Sequence, residues 1–390
     1  MARGLGMGFD PPVVSADLPQ TAAGERLEPG MVLAVTGYVW EHGVGAVFGR
    51  EAVLITDDGH EVLTTSRSGR GTEMAGSDRP SPEEIILYHK DPATKIATIT
   101  FNRPDYLNAP TSAARLRYAD LLRGASVDND VKVVVIRGVG DDLGSGADLP
   151  EFMEGVDSPE LRLAELRLDG ADVNYPPKGT FRNGATISAW YANVQAGNRP
   201  LQELKKISIV EAKGYCYGWH FYQAADADLV IASDDTLFGH PSFRYYGWGP
   251  RMWTWVQMMG LRKFSEMVFT GRPFTAADME KCNFLNKVVP RDQLEAEVDK
   301  YATACARNRP VDTVFMQKMF FEVYKQHQGE YMGSLLSAFF ESMGSGVAPD
   351  TDDLMLDAAI DSGLNNAVKD NDSRFPPDFR LSKSSRDQDG

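Results

Sequence analysis

Residues 210–242 read VEAKGYCYGWHFYQAADADLVIASDDTLFGHPS, and this stretch constrains the fold more than any other. A short β-type run turns on glycines and enters an apolar segment of small residues. A second buried run, LVIA at 229–232, follows Asp228, and the stretch closes on Phe238-Gly239-His240-Pro241. A strand that feeds a helix through a glycine turn exposes backbone N–H groups that no helical carbonyl satisfies. With the positive end of the helix dipole, those donors suit an oxygen that gains negative charge. The stretch therefore reads as an oxyanion hole.

The same alternation precedes it. Residues 85–88 and 96–101 are strand-like around a turn at Asp91-Pro92, residues 111–124 have helical spacing, and VKVVVIRG (131–138) contains a fully buried strand. Strand, helix and strand repeating to Ala232 imply right-handed parallel βαβ units, an α/β fold. A chain of 390 residues with 43% hydrophobic and 24% charged residues can bury a substantial core. Its net charge of −15 argues against a nucleic-acid or anionic-membrane surface. Cys216, Cys282 and Cys305 form no disulfide framework or zinc pattern. The opening MARGLGMGFDPP has no signal-peptide core and no run of eighteen apolar residues occurs, so a cytoplasmic protein is expected.

Ahead of that domain, residues 27–65 alternate short β-branched runs with EPG, HGVG and DDGH turns, which predicts a small antiparallel sheet. The text resembles the last strands of the metallo-aminopeptidase (creatinase-like) family, whose metal-binding glutamate falls on Arg50 here. Residues 1–66 are therefore expected to form a β-rich appendage without a metal, and the polar, Ser/Gly/Arg-rich residues 67–82 a linker. Core residues 83–290, with an insertion at 153–200, precede C-terminal helices at 291–345. An extended tail at 346–390 ends in the polar SKSSRDQDG, expected to be disordered. An insertion of that length is expected to cover the site or meet a neighbour.

Phe101-Asn102-Arg103-Pro104 with Leu107-Asn108-Ala109 resembles the opening motif of the crotonase (enoyl-CoA hydratase/isomerase) superfamily. So do Gly144-Ser145-Gly146-Ala147-Asp148-Leu149, residues 214–238, Phe269-Thr270-Gly271-Arg272-Pro273-Phe274, Asn286-Lys287-Val288-Val289-Pro290 and Arg374-Phe375-Pro376-Pro377-Asp378-Phe379. The ordered set spans residues 83–383. It implies the ClpP/crotonase-like spiral core of ββα repeats with C-terminal helices, and a homotrimer or hexamer. No cofactor is required, with coenzyme A expected as part of the substrate.

Residue by residue, the resemblance puts the two oxyanion amides on Ser145 and Trp219, where Trp219 brings an indole into a position that is usually glycine. The family's two glutamates fall on Tyr222 and Ser242, so ordinary two-glutamate hydration is not expected. His220, His240 and Tyr222 are the replacement acid–base candidates, histidine being the side chain that titrates nearest neutrality. Leu107, Ala109 and Ala147 are expected to supply backbone contacts to the nucleotide. Ser242, Arg244, Tyr245 and Trp248 open an aromatic and cationic run suited to a bulky cyclic or aromatic acyl group. Asp148 and Asp228 read as braces for turns. Asp105 stands where the family offers a cation near the CoA phosphates. The expected chemistry is C–C cleavage or an atypical hydration through an enolate. A CoA-independent β-diketone hydrolase and a non-catalytic acyl-CoA- or protein-binding paralogue are the alternatives.

Overall fold

The computed structural model describes residues 79–155, 158–168, 170, 173–177, 180–192, 197–245, 247–343 and 364–386, together with 2–4, 13–14, 29, 32–41, 45–58 and 60–62. The chain forms two compact units, Met1–Arg79 and Pro80–Gly390. In the first, β1 (Ala2–Gly4), β2 (Val13–Val14), β3 (Val32–Glu41), β4 (Gly45–Ile55) and β5 (His60–Val62) make an antiparallel sheet in the order β2-β1-β3-β4-β5. The turn-punctuated text of residues 27–65 predicted the antiparallel β3-β4-β5 part of this sheet but not β1 and β2, and Arg50 pairs with Thr36 across β3 and β4.

The second unit opens with α1 (Pro82–Ile85), held by a reciprocal capping box between Ser81 and Glu84. There follow β6 (Ile86–Asp91), β7 (Ile96–Phe101), α2 (Ser112–Val127) and β8 (Val133–Gly138), and then α3 (Leu149–Gly155), α4 (Pro159–Glu165), α5 (Phe181–Ala192) and α6 (Pro200–Glu203). Next come β9 (Ile207–Ala212), β10 (Tyr215–Tyr217), α7 (Trp219–Asp226), β11 (Leu229–Ser233), β12 (Leu237–Gly239) and α8 (Ser242–Tyr245). The unit continues through α9 (Met252–Met259), α10 (Leu261–Thr270), β13 (Phe274–Thr275), α11 (Ala276–Lys281) and β14 (Lys287–Val289) to α12 (Leu294–Arg307), α13 (Val311–His327) and α14 (Glu330–Met343).

Six strands form the main sheet in the order β14-β11-β9-β8-β7-β6. Only the β6–β7 pair is antiparallel. Side chains alternate faces along a strand, so a sheet covered on both sides reads as an unbroken apolar run. VVVIRG on β8 does this: Val134 and Ile136 enter the larger core, while Val133 and Val135 pack with Ile209, Ile231 and α12 on the other face. A second sheet, β10-β12-β13, carries the glycine turn into α7.

The expectation of an extended tail is corrected here. Residues 346–390 are not uniformly extended, because a helix at Leu364–Ser373 and short turns to Arg386 fold back onto the body. Asp372 is the anchor, accepting from the Leu381 and Ser382 amides, the Ser385 hydroxyl and Arg244. Within the insertion, α5 packs along α14.

Candidate active site

Two glycine turns meet at the top of β10. Residues 143–145 run beside β10, where Leu143 N–H donates to Lys213 O, Gly144 N–H to Tyr215 O, and Tyr217 N–H to Gly144 O at 3.0 Å. At the contact itself Gly218 has little room for a side chain, and Gly146 is held to glycine by its φ of +118° rather than by space. A Cβ on Gly218 would lie 3.1 Å from Gly146 Cα, and one on Gly146 would lie 3.5 Å from Gly218 Cα and 3.7 Å from Trp219 N. Gly218 also holds φ +53°, a left-handed value that L side chains avoid.

Hydrogen bonding decides which amides face outward. Ser145 N–H donates to Leu107 O at 2.9 Å, Gly146 N–H to His220 Nδ1 at 3.2 Å, and Asp148 N–H to Pro110 O at 3.2 Å. Of these four successive amides, only that of Ala147 lacks an acceptor among the described residues. Trp219 N–H, the first of α7, lacks one too, and Gly218 supplies no side-chain cap. Ser145 is therefore corrected as an oxyanion donor, because its amide fastens the turn to the Leu107 carbonyl. Trp219 keeps an open amide, and Ala147, expected at the nucleotide, has the other.

The two histidines differ in kind. His220 is fully buried, with its ring edge-on to Phe101 (4.7 Å) and Trp219 (5.2 Å). A Cβ on Gly144 would clash with that ring at Cε1. Because Nδ1 accepts from Gly146, the proton sits on Nε2, and burial pushes the pKa down to about 3. His220 is thus a neutral brace behind the turn, which corrects its reading as an acid–base group. His240 is also buried, and burial again pushes its pKa down to about 3. Neither of its nitrogens has a partner among the described residues, and Nδ1 lies 3.9 Å from where a Gly218 Cβ would stand. Tyr222, Phe243 and Trp255 surround its ring at 5.5, 5.1 and 5.4 Å. The structure so brings Tyr222 and His240 together beside the turn.

The run that starts at Ser242 separates. Ser242 opens α8, half-buried. Arg244 is buried and spent on the C-terminal segment: it pairs with Asp372 (2.7 Å), donates to Phe379 O (2.6 Å) and stacks over Phe375. Tyr245 packs beside Tyr217, Leu237 and Leu381. Trp248 donates its indole N–H to Ser337 O (2.9 Å) and meets Phe340 on α14. These three are corrected from acyl-group contacts to packing contacts. Trp255, stacked on Phe221 at 4.8 Å, is the member of the run that reaches the site. The side chain of Tyr246 lies outside the described residues.

At the opening motif, Leu107 and Asn108 adopt φ of 50° and 55°, and Leu107 is 42% exposed. Ala109 is buried, and its carbonyl accepts from Arg103. Asp148 takes an ion pair from Arg103 at 2.6 Å, and Asp228 accepts from Ser208 and Lys318, so both brace the fold as the sequence implied. Lys383 pairs with Asp235 at 2.8 Å. A cavity of about 140 Å³ lies instead between α2 and α6, and contains no residue of the two turns.

The fold matches known structures. An enoyl-CoA hydratase/isomerase from Xanthobacter autotrophicus superposes over 75% of this chain and 98% of its own, with a TM-score of 0.58 at 24% identity. An enoyl-CoA hydratase from Mycobacterium smegmatis covers 78% and 97%, with a TM-score of 0.62 at 22% identity. The chain has the crotonase fold. Its sequence supports the same superfamily, since the enoyl-CoA hydratase/isomerase family profile matches residues 178–345. A mevalonyl-coenzyme A hydratase of Aspergillus fumigatus is 27% identical over 56% of this chain and 72% of its own. A hydroxycinnamoyl-CoA hydratase-lyase of Pseudomonas fluorescens is 24% identical over 55% of this chain and 71% of its own. The profile begins beyond the FNRP and GSGADL motifs.

Proposed function

We propose that the second unit is an enzyme of CoA thioesters that polarises the thioester carbonyl with the Ala147 and Trp219 amides and carries the substrate through an enolate. One observation bears the reading: two unbonded amides, each on a glycine turn, flank the contact between Gly146 and Gly218. Fixed N–H donors in a water-poor site stabilise a developing oxyanion by several kcal/mol, about 3 for each donor.

His240 is the proton acceptor in this reading. Its neutral ring has a free nitrogen beside the turn, and a nearby enolate raises the basicity of a buried imidazole through the same low dielectric that otherwise depresses it. Similarity to a hydratase-lyase supports C–C cleavage. For a 3-hydroxyacyl thioester, His240 takes the β-hydroxyl proton and the Cα–Cβ bond breaks to give an aldehyde. The bond electrons pass to the thioester enolate, and the same proton then returns to Cα. Phe243, Trp255 and Tyr222 around His240 favour an aromatic or alicyclic acyl group. Asp105 in place of a basic residue and the Lys383–Asp235 pair favour a second reading, a β-diketone hydrolase that dispenses with CoA.

Cinnamoyl-CoA tests the proposal. A conjugated thioester whose carbonyl is polarised by two N–H donors absorbs at longer wavelength than the free thioester. A saturated complex with an unshifted band would refute the first reading, and binding of a cyclic diketone alone would favour the second. His240→Gln keeps the shift and lowers turnover by about 10²–10⁴.

A further inference from the structure

Helix α7 has only eight residues, and its N-cap, Gly218, brings no side-chain acceptor to the first turn. Short helices without a cap fray at their ends, and a frayed first turn could not aim an amide. What holds this one is the side chain of Trp219. The indole turns inward, edge-on to Tyr118 at 5.1 Å and to Phe101 at 5.6 Å, and its Nε1–H donates to Gly197 O at 2.8 Å. The indole is 2% exposed, so it does not reshape the pocket wall as its departure from glycine implied.

Gly197 lies near the end of the 153–200 insertion, and its own place is fixed. It holds φ +90°, and a Cβ there would stand 2.6 Å from the Arg115 carbonyl oxygen. The residues that follow grip the rest of α7. Asn198 O accepts from Gln223 Nε2 at 3.4 Å, and Gln202 Nε2 donates to Asp226 Oδ1 at 3.3 Å. Gln202 also donates to Glu330 of α14 at 2.7 Å. We infer that the Trp219 indole and the Gly197 carbonyl form a latch through which the insertion fixes the first turn of α7 and orients the Trp219 amide. This rests on the carbonyl-polarising reading. The Trp219 side chain is then a positioning group for its own backbone.

Trp219→Phe keeps a ring between Tyr118 and Phe101 and deletes the indole donor. In the full-length, ligand-free protein, hydrogen–deuterium exchange should quicken about fivefold in peptides spanning 197–203 and 218–226, the factor carried by one neutral hydrogen bond. Peptides from β8 should exchange as in the wild type. The red shift of bound cinnamoyl-CoA should fall by about half, with its dissociation constant changed less than about threefold, since an aiming defect weakens polarisation before binding. Unchanged exchange in both peptides overturns the latch. A wild type that shifts the band and a Trp219→Phe protein that shifts it equally overturn the inference alone. A wild type with no shift overturns the reading beneath it and the inference together. Trp219→His, which restores a ring N–H, should recover part of the shift; no recovery would overturn the role of the donor.

Discussion

Two histidines twenty positions apart have the same displaced pKa and different tasks. Burial holds both His220 and His240 neutral, with pKa values down to about 3 against an ordinary value near 6.5. The native state therefore binds fewer protons than the unfolded chain between those values. Stability is undiminished above about pH 6.5 and falls as the pH drops toward 3. At pH 5 each histidine should cost about 2 kcal/mol relative to pH 7.5, measured by urea denaturation. His240→Gln should remove about half of that pH dependence, and an unchanged slope would contradict the burial argument. Arg244 makes the complementary point. Its partner Asp372 is buried with it, so Arg244→Met leaves a buried carboxylate unpaired and should lower unfolding stability by about 3–5 kcal/mol. A loss below about 1 kcal/mol would return Arg244 to the ligand-binding candidates.

At the scale of elements, glycines separate turns that demand them from helices that only tolerate them. Gly197→Ala meets the Arg115 carbonyl and a left-handed φ together, and should destabilise by more than about 2 kcal/mol in denaturant melts. Gly124, in the last turns of α2, has nothing within 4 Å of a new Cβ. Gly124→Ala should stabilise by about 0.5–1 kcal/mol, because alanine loses less backbone entropy in a helix. Helix α2 and the strands β8 and β11 of the second unit were legible from periodicity, since VKVVVIRG and LVIA each supply side chains to covered sheet faces. The choice between Ser145 and Ala147 was not legible. Adjacent amides in a turn differ by which carbonyl lies opposite, and the Leu107 oxygen comes from 38 residues earlier in the chain. The reach of Arg244 to Asp372 was hidden for the same reason, being a contact across 128 positions.

For the whole molecule, α13 and α14 carry a set of exposed apolar side chains on their outward surface. Phe315, Met316, Phe320, Val323, Met332 and Leu336 are each between 47% and 70% exposed, while Val314 and Lys318 face inward. Contiguous apolar surface of this kind marks an association face. A homotrimer or hexamer is the assembly proposed, and light scattering should give about three or six times the chain mass of 43.0 kDa. Met316→Glu with Phe320→Glu, one helical turn apart, should shift the mass to that of one chain while the far-ultraviolet circular dichroism is kept. An unchanged assembly would place the contact elsewhere. No helix among the described residues is long and apolar enough to cross a membrane.

By itself the sequence determined the α/β class, the antiparallel sheet ahead of it and the glycine turn into α7. Those properties are local: they follow from side-chain alternation, from backbone angles open to glycine, and from which residue type occupies a position. Only the tertiary structure decided which amides remain unbonded, which histidine braces and which stands free, and that the Trp219 indole reaches Gly197 rather than the pocket. Each of these depends on pairing a donor with an acceptor distant in the chain, and a hydrogen bond leaves no trace in sequence spacing once its partners lie tens of residues apart.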